Sequence, residues 1–277
     1  MKIILLIGIV SLLYACKPET EAGNLMNADV SSKLDIIASH KIYFGHQSVG
    51  ENILMGFSEI ISLNKHQKIQ IVNLHRTTKL PGSYLAHSYI GHNKDAASKC
   101  EDFSKTIKKY FASDLDIALM KFCFVDICRE NNAQEIFNLY KTTIDRLKLE
   151  FPEITFIHST VPLESEDVNL YWGVRRWIKK ILGKRDYSPL DNVKRNEYNR
   201  LIREYFKNDY IFDIARVEST YPDGKNNLFN YNGKAYQSLI FDYSTDAAHL
   251  NEMGQKRAAL EFISILVQAC NDRNFRK

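Results

Sequence analysis

Three residues in this sequence have the types needed for acyl chemistry. Ser48 lies in Gly45-His46-Gln47-Ser48-Val49-Gly50, and Asp246 and His249 lie in Asp246-Ala247-Ala248-His249. A serine hydroxyl attacks a carbonyl only when a base removes its proton, and a neutral imidazole does this near pH 7. The imidazole in turn needs a carboxylate to fix its tautomer and stabilise its cation. An aspartate three residues before a histidine, in a turn ahead of a helix, can lie beside it. A serine at the start of a helix also serves as a cap. From the first stretch alone, both uses stay open.

The elements around these residues decide whether they can meet. Ile42-Tyr43-Phe44 reads as a strand, and Ile53, Leu54, Phe57, Ile60 and Ile61 as the apolar face of the helix after it. Further strands are expected at 68–74, 116–122, 154–159 and 210–214. A helix with Ile136, Tyr140, Ile144 and Leu147 on one face closes at Pro152, and a last helix is expected over 252–269. Alternating strands and helices predict an α/β chain: a three-layer α/β/α sandwich on a five-stranded parallel sheet. In such sheets the loops after the carboxyl ends of the strands gather at one site. Those loops carry Ser48, then His75, Arg76, His87, Gly91, His92 and Asn93, then Cys123 to Arg129, and at the far end Asp246 and His249.

A serine after the first strand and an Asp-x-x-His before the last helix resemble the SGNH (GDSL-like) hydrolases, esterases with a flavodoxin-like sheet. The resemblance covers roughly residues 40–270. It implies Ser48 as nucleophile, His249 as base and Asp246 as its orienter. It also implies a backbone N–H for the oxyanion from Gly91, in Tyr89-Ile90-Gly91-His92-Asn93. Removal of acyl (acetyl) groups from a carbohydrate or another envelope or extracellular substrate is the activity it suggests.

The sequence departs from that family at two places. Gly45-His46-Gln47-Ser48 carries one more residue than Gly-Asp-Ser, and Cys123-Phe124-Val125-Asp126 stands where Gly-x-Asn-Asp is usual. Val125 has no donor for an oxyanion, and loss of one such donor typically costs on the order of a hundred- to a thousandfold in rate. Gln47, His46, Asn93 and Lys121 are the candidate replacements, with Gln47 first because its amide flanks the nucleophile. Lys121 could instead neutralise Asp126. The valine also motivates an alternative reading, a catalytically weak or inactive protein that binds a glycan in the same cleft.

The chain of 277 residues carries 37 Lys and Arg against 33 Asp and Glu, a mildly basic balance that gives no reason to expect a nucleic-acid partner. Met1-Lys2, the apolar run Ile3 to Leu13 and then Ala15-Cys16 read as a secretory signal over 1–15. The cysteine placed there resembles a bacterial lipobox, which implies lipid attachment at Cys16 and a cell-envelope location at the outer membrane, periplasmic or surface-exposed. Residues 16–32 read as a flexible tether and 33–277 as the hydrolase domain. Cys123 and Cys270 lie in apolar runs and are expected as buried free thiols. No metal or other cofactor is expected, because His75, His87 and His92 match no common ligand spacing. Trp172 to Arg185 is basic and amphipathic. It could dock on an anionic surface, or pack its apolar stripe on the domain. The run from Glu218 to Ser244 reads as a loop or irregular hairpin.

Overall fold

The computed structural model describes residues 28–274, apart from positions 67, 78, 112–113, 168–172, 175–176, 179–180 and 183–186. The sequence calls at 1–27, Cys16 among them, lie outside the described residues. The first described element is helix α1, Ala28–Ile37, whose Val30, Leu34 and Ile37 are buried. Residues 28–32, expected in the tether, are therefore part of the folded unit.

Strand β1 (Lys41–His46) leads into helix α2 (Ser48–Leu63). Strands β2 (Ile71–Asn73) and β3 (Tyr84–Tyr89) follow, then α3 (Ala96–Tyr110), β4 (Ile117–Met120), α4 (Ala133–Glu150) and β5 (Thr155–Ser159). After them come α5 (Pro189–Tyr205), β6 (Ile211–Phe212) and the short α6 (Ile214–Ser219). A hairpin of β7 (Leu228–Tyr231) and β8 (Lys234–Gln237) precedes the final helix α7 (Glu252–Asn274).

The central sheet has the order β2-β3-β1-β4-β5-β6, and every neighbouring pair is parallel. The α/β class is as expected, but the sheet has six strands rather than five. The additional strand is β3, in a stretch expected to be loop. Its sequence, Tyr-Leu-Ala-His-Ser-Tyr, has polar residues where a buried strand is usually apolar. Those polar groups find partners inside: Ser88 Oγ lies 2.8 Å from Tyr43 Oη, and His87 Nδ1 lies 2.9 Å from His46 Nε2.

Alternation along β1 divides the core into two layers. Ile42 and Phe44 pack with α1, α2, α6 and α7 on one face. Tyr43 packs with α3, α4 and α5 on the other. Helices α2 and α7 approach so closely that a Cβ at Gly56 would stand 2.3 Å from the carbonyl oxygen of Gln255, so only glycine fits there. This crossing holds the helix that begins at Ser48 against the helix that follows His249.

The 218–244 run contains the expected hairpin, turning at Asn232 and Gly233 with φ of +49° and +76°. Of the basic amphipathic stretch, Trp172 and all six of its lysines and arginines lie outside the described residues. Val174, Trp177, Ile178, Ile181 and Leu182 are described and are all exposed, Trp177 by 63%, so this apolar stripe does not pack on the domain.

Candidate active site

Helix α2 starts abruptly because Gln47 is extended (φ −136°, ψ −159°) and acts as its cap residue without a side-chain capping bond. Ser48 is thereby released from capping, the plainer of its two possible roles. Its Oγ lies 3.1 Å from His249 Nε2. His249 Nδ1 lies 2.9 Å from Asp246 Oδ2, and the other carboxylate oxygen accepts the backbone N–H groups of His249 (2.8 Å) and Ala248 (3.1 Å). The turn that makes this possible puts Ala247 at φ +68°, an uncommon conformation for a residue with a side chain.

Burial opposes charge on Asp246, but the hydrogen bonds from His249 and Ala248 outweigh it and hold the carboxyl down at about 2. Asp246 is thus a carboxylate at neutral pH, and the hydrogen it accepts fixes His249 with its proton on Nδ1. Nε2 then offers a lone pair to the Ser48 hydroxyl. Two contacts hold the partners in register: Asn52 Oδ1 accepts the N–H of Leu250 (3.2 Å), and the Phe124 ring meets the His249 ring edge-on at 5.5 Å. The Phe124 carbonyl accepts from buried Arg195 Nε (2.8 Å), which is itself paired with Glu164.

The structure revises the expected oxyanion donors. The N–H of Gly91 donates to Asp102 Oδ2 (2.9 Å), so it is committed to a carboxylate. Gln47 spends its amide nitrogen on two carbonyls, those of Ile90 (2.8 Å) and Gly91 (3.1 Å), which pins the loop after β3 to the turn before Ser48. His46 directs its two ring nitrogens to Gln47 O and His87. Lys121 does not neutralise Asp126: its Nζ donates to Phe122 O, and buried Lys99 makes the ion pair with Asp126 at 2.5 Å.

That leaves Asn93. Lys99 Nζ donates to its Oδ1 (3.0 Å), which turns the amide so that Nδ2 makes no hydrogen bond among the described residues. Asp126 also accepts from the N–H groups of Lys94 (2.8 Å) and Cys123 (2.6 Å), tying the loops after β3 and β4 into one wall. The aspartate of the divergent third motif is therefore a scaffold for the Asn93 loop. Lys99 was missed in the sequence, although the signal was there. It falls among Ala96, Cys100, Phe103 and Ile107 on the apolar face of α3, where an unpaired lysine is not tolerated. Asn52 offered no comparable signal.

A cleft of about 690 Å³ opens beside Gly91 between β2, β3 and α3, bordered by His75, Arg76, Tyr89, His92 and Lys105. His87, expected in the loop after the second strand, lies instead inside β3. It gathers with His46 and Glu51 rather than with His75 and His92, the three offering ligand atoms within 4.8 Å of one another. Burial pushes His46 down to about 3 and His87 to about 4, so both rings are neutral. Cys100 and Cys123 are buried free thiols, Cys128 is half-buried and free, and Cys270 is buried.

No protein-family model matches this sequence, and no curated protein matches it. Solved structures do resemble it. A Streptococcus pneumonia protein, provisionally named a platelet activating factor, is 12% identical with a TM-score of 0.50; the match covers 86% of this chain and 91% of that one. An acetyl esterase, in a serine-to-alanine form with acetate ion, is 14% identical with a TM-score of 0.52; the match covers 84% of this chain and 99% of that one. At such identities the likeness establishes a shared α/β fold and nothing finer.

Proposed function

We propose that this chain is a serine esterase of the SGNH (GDSL-like) type, with Ser48, His249 and Asp246 as its catalytic triad. The observation that carries the reading is the continuous relay from Asp246 Oδ2 through His249 to Ser48 Oγ, at 2.9 and 3.1 Å. Ser48 Oγ attacks the ester carbonyl carbon while His249 Nε2 takes its proton. The oxyanion is received by the Ser48 N–H, which at the first turn of α2 has no intrahelical carbonyl to serve, and by Asn93 Nδ2. The intermediate collapses as His249 returns the proton to the leaving alcohol. Water, activated by the same imidazole, then hydrolyses the acyl-serine.

The substrate class follows by analogy and by chemistry. The acetyl esterase of similar fold suggests a short acyl group. The cleft beside Gly91, lined by exposed Tyr89, the Arg76 cation and the Glu101–Lys105 ion pair, suits a polar, hydroxyl-rich alcohol such as a glycan. With Cys16 as a lipid attachment point, the enzyme would act in the cell envelope, at the outer membrane. Comparing hydrolysis of a short acyl ester by the protein and by its Ser48→Ala form tests the mechanism: loss of turnover is expected, and equal rates would sink it.

One observation favours a second reading. With the Gly91 N–H bonded to Asp102, Gln47 occupied by carbonyls and Val125 without a donor, the oxyanion site has fewer donors than such enzymes usually offer. A glycan-binding protein without turnover would retain acylated-glycan affinity in the wild-type form and show no acyl transfer to Ser48.

A further inference from the structure

Beside Ser48, and not used in the relay, three groups with metal-ligating atoms converge: His46 at the end of β1, Glu51 in the first turn of α2 and His87 in β3. We propose that His46 Nε2, His87 Nδ1 and the Glu51 carboxylate form a site for a divalent transition-metal ion, with zinc the ion their chemistry suits. Two imidazoles and one carboxylate, with a fourth position open, are a common zinc donor set.

Several features indicate a prepared site. The Nδ1 of His46 lies 2.9 Å from the Gln47 carbonyl, so it carries the proton and leaves Nε2 with a lone pair. Such an outer hydrogen bond is how metal-binding histidines are oriented. The pocket for that ring exists only because residue 50 is glycine: a Cβ there would stand 2.3 Å from His46 Cβ and 2.6 Å from its Nδ1. The two facing nitrogens are 2.9 Å apart, and ligands on a tetrahedral zinc at about 2.0–2.1 Å stand roughly 3.3 Å apart, so only a slight opening is needed. His87 would shift its proton from Nδ1 to Nε2. The Glu51 carboxylate makes no hydrogen bond or ion pair among the described residues, and one of its oxygens already lies within 4.8 Å of both imidazole nitrogens. A bound ion would clamp the first turn of α2 to β1 and β3, through ligands one residue before Gln47 and three residues after Ser48.

The test uses the full chain, stripped with a chelator and titrated with Zn²⁺ by calorimetry, with Co²⁺ as the spectroscopic probe. A single ion per chain is expected, with a Co²⁺ spectrum free of thiolate charge-transfer bands. His87→Gln and Glu51→Gln should each weaken binding by at least about tenfold, the scale on which disturbed zinc sites lose affinity. Glu51 is half-exposed, so its substitution leaves the core intact and keeps the test valid if His87→Gln fails to fold. Absence of stoichiometric binding would overturn the proposal. So would binding unchanged by Glu51→Gln, or a thiolate signature that places the ion on Cys128. None of these outcomes depends on esterase activity.

Discussion

The hydroxyl of Ser48 lies 3.1 Å from Nε2 of His249, although 201 residues separate the two in the chain. The crossing of α2 and α7 at Gly56 and the bond from Leu250 N–H to Asn52 set this distance. A side chain at residue 56 would push the two helices apart. Gly56→Val should therefore destabilise the protein by about 1–3 kcal/mol, the usual cost of overpacking, and lower kcat further than stability explains. Thermal melts alongside ester hydrolysis by the folded fraction would check both effects.

Asp246→Asn keeps the shape of the turn but offers His249 an amide where it now meets a carboxylate. The imidazole then loses the partner that fixes its tautomer, and kcat should fall by about 10⁴-fold. KM should change little, because Asp246 does not touch the substrate. Steady-state kinetics separate the two.

The proposed mechanism uses Asn93 as the donor that compensates for Val125. Asn93→Ala should reduce kcat by about 10²–10³-fold with little change in KM, and Gln47→Ala should act on loop order before it acts on turnover. Equal, small effects from both substitutions in a kinetic comparison would count against the assignment.

The buried pair of Lys99 and Asp126 supports that asparagine. Asp126→Ala strands a buried ammonium and should cost about 3–5 kcal/mol in a denaturant titration. Lys99→Met, which removes the opposite charge, should leave the amide of Asn93 unoriented.

Asp246 also predicts a pH response. Its carboxyl is held at about 2 in the folded protein against 3.8 ordinarily. The stability it contributes is fully present above pH 4 and is lost as pH falls toward 2. Acid unfolding of Asp246→Asn should lack that component, which melts between pH 2 and 5 would reveal.

Much of this was legible in the sequence because the signals are local. The serine after β1, the Asp-x-x-His turn and the apolar faces of α2, α4 and α7 each rest on spacing alone. What could not be read depends on partners distant in the chain. Strand β3 looks too polar until Tyr43 and His46 are seen to satisfy Ser88 and His87. Gly91 fits its motif, yet Asp102, eleven residues on, takes its N–H. The apolar stripe around Trp177 could have been core or surface by pattern, and only the fold shows it exposed.

The central claim, that Ser48 is an activated nucleophile, is tested most directly by treating the protein with a fluorophosphonate and locating the adduct by peptide mass spectrometry. The account predicts a single adduct on Ser48 that disappears in His249→Ala while the fold, followed by circular dichroism, is retained. A folded protein that takes no label at Ser48, or labels equally without His249, would contradict it.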